Sequence, residues 1–124
     1  MPTTGPPPGP AVLIAACSTA AQVDSAIATG ADMIDAAGLS DQAVAAIRAR
    51  HPGVRLWAGS PGAVDVDSLR ALPVAAVVAR TAVLAWLGTP AIRTRHVLPV
   101  RRAIDMTSSI AGTRLPSLTT RGLG

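Results

Sequence analysis

Short, largely apolar runs alternate along this chain with stretches whose apolar residues recur every three or four positions, and the alternation repeats four times. The runs cover residues 11–16, 32–36, 54–58 and 91–94. Each is brief and bounded by Gly, Pro, Ser or Thr, which predicts strands buried on both faces. Helical spacing predicts a first helix over 20–29, capped by Ser18 or Thr19, with Val23, Ala26 and Ile27 on one face and Gly30 as its stop. A second runs from a Ser40 or Asp41 cap through Arg50, with Val44 and Ile47 in register, and His51-Pro52-Gly53 ends it.

Residues 59–62 read as a turn, and Asp65, Asp67 and Ser68 are candidate caps for the next segment. The stretch 69–87 carries a helical stripe, with Pro73 near the first turn, although 73–78 alone also fits a strand. A last helix over 99–110 places Val100, Ala103, Ile104 and Met106 inward. Four strands alternating with four helices require a parallel sheet with right-handed crossovers. A whole (β/α)8 barrel takes ~250 residues, so four βα units in 124 residues correspond to half of one. The division is a Pro/Gly-rich arm over 1–10, an α/β half-barrel domain over 11–111 and a flexible basic tail over 112–124.

Composition narrows the function classes. Trp57 and Trp86 are the only aromatic residues, too few to stack single-stranded bases, so no nucleic-acid partner is expected. All bases are Arg and all acids Asp, and without Lys there is no Schiff-base chemistry. The net charge of +4 is concentrated late: six Arg and His96 lie from Arg93 onward, opposed by Asp105 alone, a distribution that favours an anion. A single Cys17 excludes an intramolecular disulfide and, with two His, a zinc cluster, which suits a reducing compartment. Met1 to Pro10 lacks the positive charge of a secretory signal, and Pro73 and Arg80 interrupt the best apolar stretch. The expectation is a cytoplasmic protein with no membrane partner.

Two segments carry a family resemblance. Ala82-Val83-Leu84-Ala85-Trp86-Leu87-Gly88, followed at the same spacing by Arg93-Thr94-Arg95-His96-Val97 and by a helix from Val100 to Met106, resembles the closing strand and helix of dihydropteroate synthase, the pterin-binding barrel enzyme of folate synthesis. Gly30-Ala31-Asp32-Met33-Ile34-Asp35-Ala36-Ala37-Gly38 resembles the second-strand motif of that family. On this likeness residues 54–58 correspond to the seventh strand and strands three to six are missing. The remaining four would be neighbours in a closed barrel, with two open sheet edges that a homodimer would cover.

The resemblance implies a transferase that joins p-aminobenzoate to a pterin diphosphate, releasing pyrophosphate. Arg93 matches the strand-eight Arg that meets the pterin, Arg95 and His96 fall on the anion-binding His and the Asp after it, and Asp35 matches the second-strand acid. These four are the expected substrate-binding residues for a pterin or other anionic small molecule, with no catalytic residue assigned. No resident cofactor is implied, and Mg2+ enters only as the companion of a diphosphate substrate. An ion pair of Arg93 with an acid such as Asp35 is the competing reading. The family's Ser-Arg-Lys after strand seven stands here as Gly59-Ser60-Pro61, and its first-strand Asn as Ala15-Ala16-Cys17. The alternative function is therefore a non-catalytic half-barrel, an interaction or regulatory subunit that holds an anionic partner.

Overall fold

The computed structural model describes residues 10–59, 62–67 and 72–111. The arm up to residue 9, residues 60–61 and 68–71, and the tail from 112 lie outside these, and with them the expectations placed there. Four strands and four helices alternate: β1 (Val12–Ala16), α1 (Ala20–Ala28), β2 (Met33–Asp35), α2 (Asp41–Arg50), β3 (Ala63–Asp65), α3 (Val74–Trp86), β4 (Ala91–Thr94) and α4 (Val97–Ala111). The strands form one parallel sheet in the order β2-β1-β4-β3. Strand alternation sends Leu13, Ala15, Ile34 and Ile92 into one core with Val23, Ala26, Ile47, Val77, Val100 and Ile104 from the helices. The opposite set, Val12, Ile14, Ala16, Met33, Asp35, Arg93 and Asp65, shares the other face. There Ile14 is fully buried between its register partners Met33 and Arg93.

Local chemistry sets the boundaries. Thr19 Oγ1 accepts from the Gln22 N–H at 3.1 Å while Gln22 Oε1 accepts from the Ser18 N–H at 2.7 Å, a reciprocal cap that starts α1. Ser40 caps α2 through the Ala43 N–H. Gly30, at φ +104°, turns the chain out of α1 in a conformation that favours glycine, and the Arg101 side chain of α4 packs against it, so that a Cβ there would meet Arg101 Cδ at 3.0 Å.

Five expectations need correction. Residues 54–58 do not stand beside β4: a single bridge, Leu56 to Ile34, sets this segment on the outer side of β2. The neighbour of β4 is instead Ala63–Asp65, for which the sequence pattern predicts no strand, and Asp65 and Asp67, read as candidate helix caps, find partners on β4 rather than on a following helix. Helix α3 begins after Pro73, which is its N-cap residue, and α4 begins at Val97, with Pro99 tolerated in the first turn where N–H groups lack helical partners. Met106 is 66% exposed, not inward.

Register also shows that the sheet is not flat, as the usual twist between neighbouring strands requires. Trp57 lies at one edge and Ala63 at the other, four strand spacings apart, about 19 Å laterally and about 13 Å along the strands if the sheet were flat. Six residue steps reach at most about 21 Å. That is less than the flat diagonal of about 23 Å, and the positive-φ turns at Gly59 and Gly62 shorten the reach further.

Asp24 on α1 ties down the end of α2, accepting from Arg50 Nη2 at 3.1 Å and facing His51 Nε2 at 2.8 Å. The His51 contact first, then Arg50, holds the Asp24 carboxyl below its ordinary value. Folding thus favours the ionised form, and the contribution is complete above the unfolded carboxylate value of ~3.9 and lost as the pH falls through the lower folded value. Asp24→Asn is expected to melt below the wild type at neutral pH, and acidification should shrink the difference in Tm to nothing. A gap that persists under strong acid would assign it to packing instead.

Candidate functional site

The C-terminal ends of β1, β2 and β4 open into a cleft of about 690 Å³. Its floor includes Ala16, Cys17, Asp35 and Arg93, one wall is the polar side of α1 with Gln22, Ser25 and Thr29, and Arg95 and Leu98 stand across from it. Small-molecule sites commonly have this size and occupy this end of a parallel sheet.

Arg93 organises the floor. Its Nε donates to Asp35 Oδ2 at 2.7 Å and its Nη1 to Asp65 Oδ2 at 2.8 Å, so the guanidinium is gripped at two edges by carboxylates from β2 and β3. Asp35 is held in turn by the Ala37 N–H on its other oxygen. Its side chain is 9% exposed against 31% for Arg93. The Asp35 hydrogen bond foremost, with the charges of both aspartates, raises Arg93 above its already high ordinary value, against a smaller opposing effect of burial. The small Ala16 on β1 lies at the Asp35 register position, which leaves the guanidinium room to cross β1. Nearby, burial and secondarily the Asp35 charge push the free Cys17 thiol upward, so it remains protonated and is a poor nucleophile at neutral pH.

A third acid fixes the rim. Asp67 accepts from Thr94 Oγ1 at 2.9 Å and from the Arg95 N–H at 2.7 Å, and lies 3.5 Å from Arg95 Nε. Asp65-Val66-Asp67 is thereby fastened along Arg93-Thr94-Arg95, with Val66 buried in the core between the two acids. The Arg95 side chain, 68% exposed, stands at the mouth of the cleft.

Of the four residues expected from sequence, Asp35, Arg93 and Arg95 come together here. His96 does not line the cleft: its N–H donates to Thr94 Oγ1 and its carbonyl accepts from the Val100 N–H, so its backbone starts α4. Asp65 and Asp67 are the site residues that sequence reading missed. Their spacing, with an apolar residue between, is a period-two signal that also fits helix caps. Asp32 is exposed but not idle, since its Oδ2 accepts from the Leu13 N–H and from Arg101.

Among the described residues no group of three or more His, Cys, Asp or Glu side chains is placed to hold a metal ion. Asp35 and Asp65 both turn to Arg93. No helix among the described residues is long and apolar enough to cross a membrane. Comparison of the chain with protein-family models, with curated proteins and with solved structures finds no match.

Removing Arg93 leaves a nearly buried Asp35 carboxylate without its main partner. Arg93→Ala is expected to cost about 2–4 kcal/mol in denaturant melts. Combining it with Asp35→Asn should cost less than the two changes added, by roughly 1–3 kcal/mol. Strict additivity would show that the two side chains do not act as a pair.

Proposed function

We propose that the cleft binds a planar, anion-bearing heterocycle of the pterin diphosphate type, and that the chain is half of a (β/α)8 barrel of the dihydropteroate synthase kind, acting as a binding protein. The observation that carries this reading is Arg93, whose guanidinium is locked at two edges by Asp35 and Asp65 on the floor of the cleft. A guanidinium held this way keeps its flat face for stacking against a ring, a use of Arg that Lys cannot match. Arg95 at the mouth is positioned for the charged end of such a ligand, and the hydroxyls of Ser25 and Thr29 on the α1 wall add hydrogen-bonding capacity. The parallel order of the four strands supports this reading of a half-barrel, and the segment 54–57 continues the wall beyond β2 through a single bridge.

Transfer chemistry is a separate matter. The Cys17 thiol is pushed upward, Arg93 is a permanent cation, and both oxygens of Asp35 are committed to Arg93 and the Ala37 N–H, so the floor offers charge and shape in place of a nucleophile or base. Where the ligand is a diphosphate, Mg2+ would arrive with it as part of the substrate. The reading therefore favours the non-catalytic alternative over an independent synthase.

Titration calorimetry with a dihydropterin diphosphate tests it. Binding is expected, with Arg95→Ala weakening the diphosphate about tenfold and the unphosphorylated pterin much less, since one charge-assisted contact to a phosphate is worth about 1.4 kcal/mol or more. Bound ligand should also slow alkylation of Cys17. Absence of heat with either compound would sink the proposal.

A further inference from the structure

The fold leaves a second, smaller cavity, of about 370 Å³, where α1 and α2 both end beside the start of β2. It shares no residue with the cleft at Arg93. Ile27 from α1, Ile34 from β2 and Val54 from the segment that bridges β2 give it an aliphatic floor, and all three also pack in the core. Arg50, His51 and Arg55, three basic residues within one short stretch, line it as well, with Asp32 as the acid in the lining.

The basic groups have capacity that the fold does not use. Asp24 of α1 accepts from Arg50 Nη2 through both oxygens and meets His51 Nε2, so it positions the two side chains by one nitrogen each. Arg50 Nε and Nη1 and His51 Nδ1 make no hydrogen bond among the described residues. Asp32 is already committed, its Oδ2 accepting from the Leu13 N–H and from Arg101 Nη1. Basic residues in the last turn of a helix answer the helix dipole, which gives Arg50 a structural role. Arg55 has no such role: it lies beyond α2, is exposed, and forms no ion pair with a described residue. Asp24 offsets Arg50 and Arg101 offsets Asp32, so the charge of Arg55 is left over.

We propose that this cavity is a binding site for a small monocarboxylic acid with an apolar body. The carboxylate meets the Arg55 guanidinium, whose planar fork matches its two oxygens, with the free edge of Arg50 and the His51 ring beside it. The body lies on Ile27, Ile34 and Val54, where it displaces water from aliphatic surface. One surplus cation suits a single negative charge. A dianion such as phosphate would set a second charge near Asp24 and Asp32 with no cation left to offset it, and would gain nothing from the apolar floor. The volume is at the small end of ligand sites, which selects a compact acid over an extended one.

Titration of the full chain with isovalerate, followed through backbone amide NMR shifts, tests the proposal. Saturable shifts are expected among residues 31–34 and 50–55, with a Kd in the millimolar range that so few ligand atoms allow. Isovaleramide, equal in shape but uncharged, and inorganic phosphate, charged but without the apolar body, are each expected to bind at least about tenfold more weakly. Arg55→Gln removes a side chain that pairs with no described residue, so the fold should persist while isovalerate binding weakens about tenfold. Arg48→Gln, on α2 outside the lining, and Arg95→Ala, in the other cleft, are expected to leave that binding unchanged. Absence of saturable shifts at these residues overturns the proposal. So does amide or phosphate binding as tight as that of the acid, or an affinity that Arg95→Ala lowers and Arg55→Gln does not.

Discussion

The grip of Asp35 and Asp65 on Arg93 is the interaction on which the upper half of this molecule depends. A guanidinium on the second-central strand of a small sheet would be an expensive intrusion without partners, since a charge taken out of water must be matched by opposite charge and hydrogen bonds. Here β2 and β3, which do not touch each other in the sheet, supply one carboxylate each, and the cation links them across β1 and β4. Two short strands of three residues apiece are thereby tied to the longer ones beyond what their few ladder hydrogen bonds provide. The same constraint shapes the cleft, because Arg93 reaches Asp35 across β1, where Ala16 stands at the Asp35 register position.

The two faces of the sheet have divided roles. On the helix side the core is aliphatic, with Leu13, Ile34, Ile92, Val100 and Ile104 nearly or wholly excluded from water. On the other side the polar network begins just above the buried Ile14. A chain with no Phe or Tyr must fill its core with branched aliphatic groups and Ala, and this favours closely set helices over wide layers. The surplus of such residues on α3 exceeds what one core can use, and it emerges on the outer surface.

Much of the architecture was legible because it rests on local pattern. Four apolar runs and four helical stripes gave the alternation, and capping residues Thr19 and Ser40 marked the starts of α1 and α2. The failure at residues 54–65 was equally physical. The segment 54–58 looks more like a strand than 63–65 does, but pairing, not pattern, decides position, and the pairing of 63–65 rests on side chains 28 residues further on. The late cluster of Arg misled for the same reason. Arg93 finds Asp35 at a separation of 58 residues, a pairing that the sequence offered only as a competing reading, and Arg101 finds Asp32 at 69, which no local pattern indicates.

Those pairings change what the site can recognise. Arg93 and Arg95 are faced by Asp35, Asp65 and Asp67, so the cleft is not a positive funnel despite the basic character of the chain. The two arginines are not equivalent in this balance. Arg93 is bound by short hydrogen bonds along its edges, and a ring laid on its face competes with none of them. Arg95 meets Asp67 only at 3.5 Å, while the main commitments of that carboxylate are to the Thr94 hydroxyl and the Arg95 backbone. An incoming oxyanion can therefore recruit the Arg95 side chain without unfastening the turn that Asp67 holds. One arginine is fixed to present a surface and the other is retained loosely enough to follow a charge, a division of labour that suits a ligand flat at one end and anionic at the other.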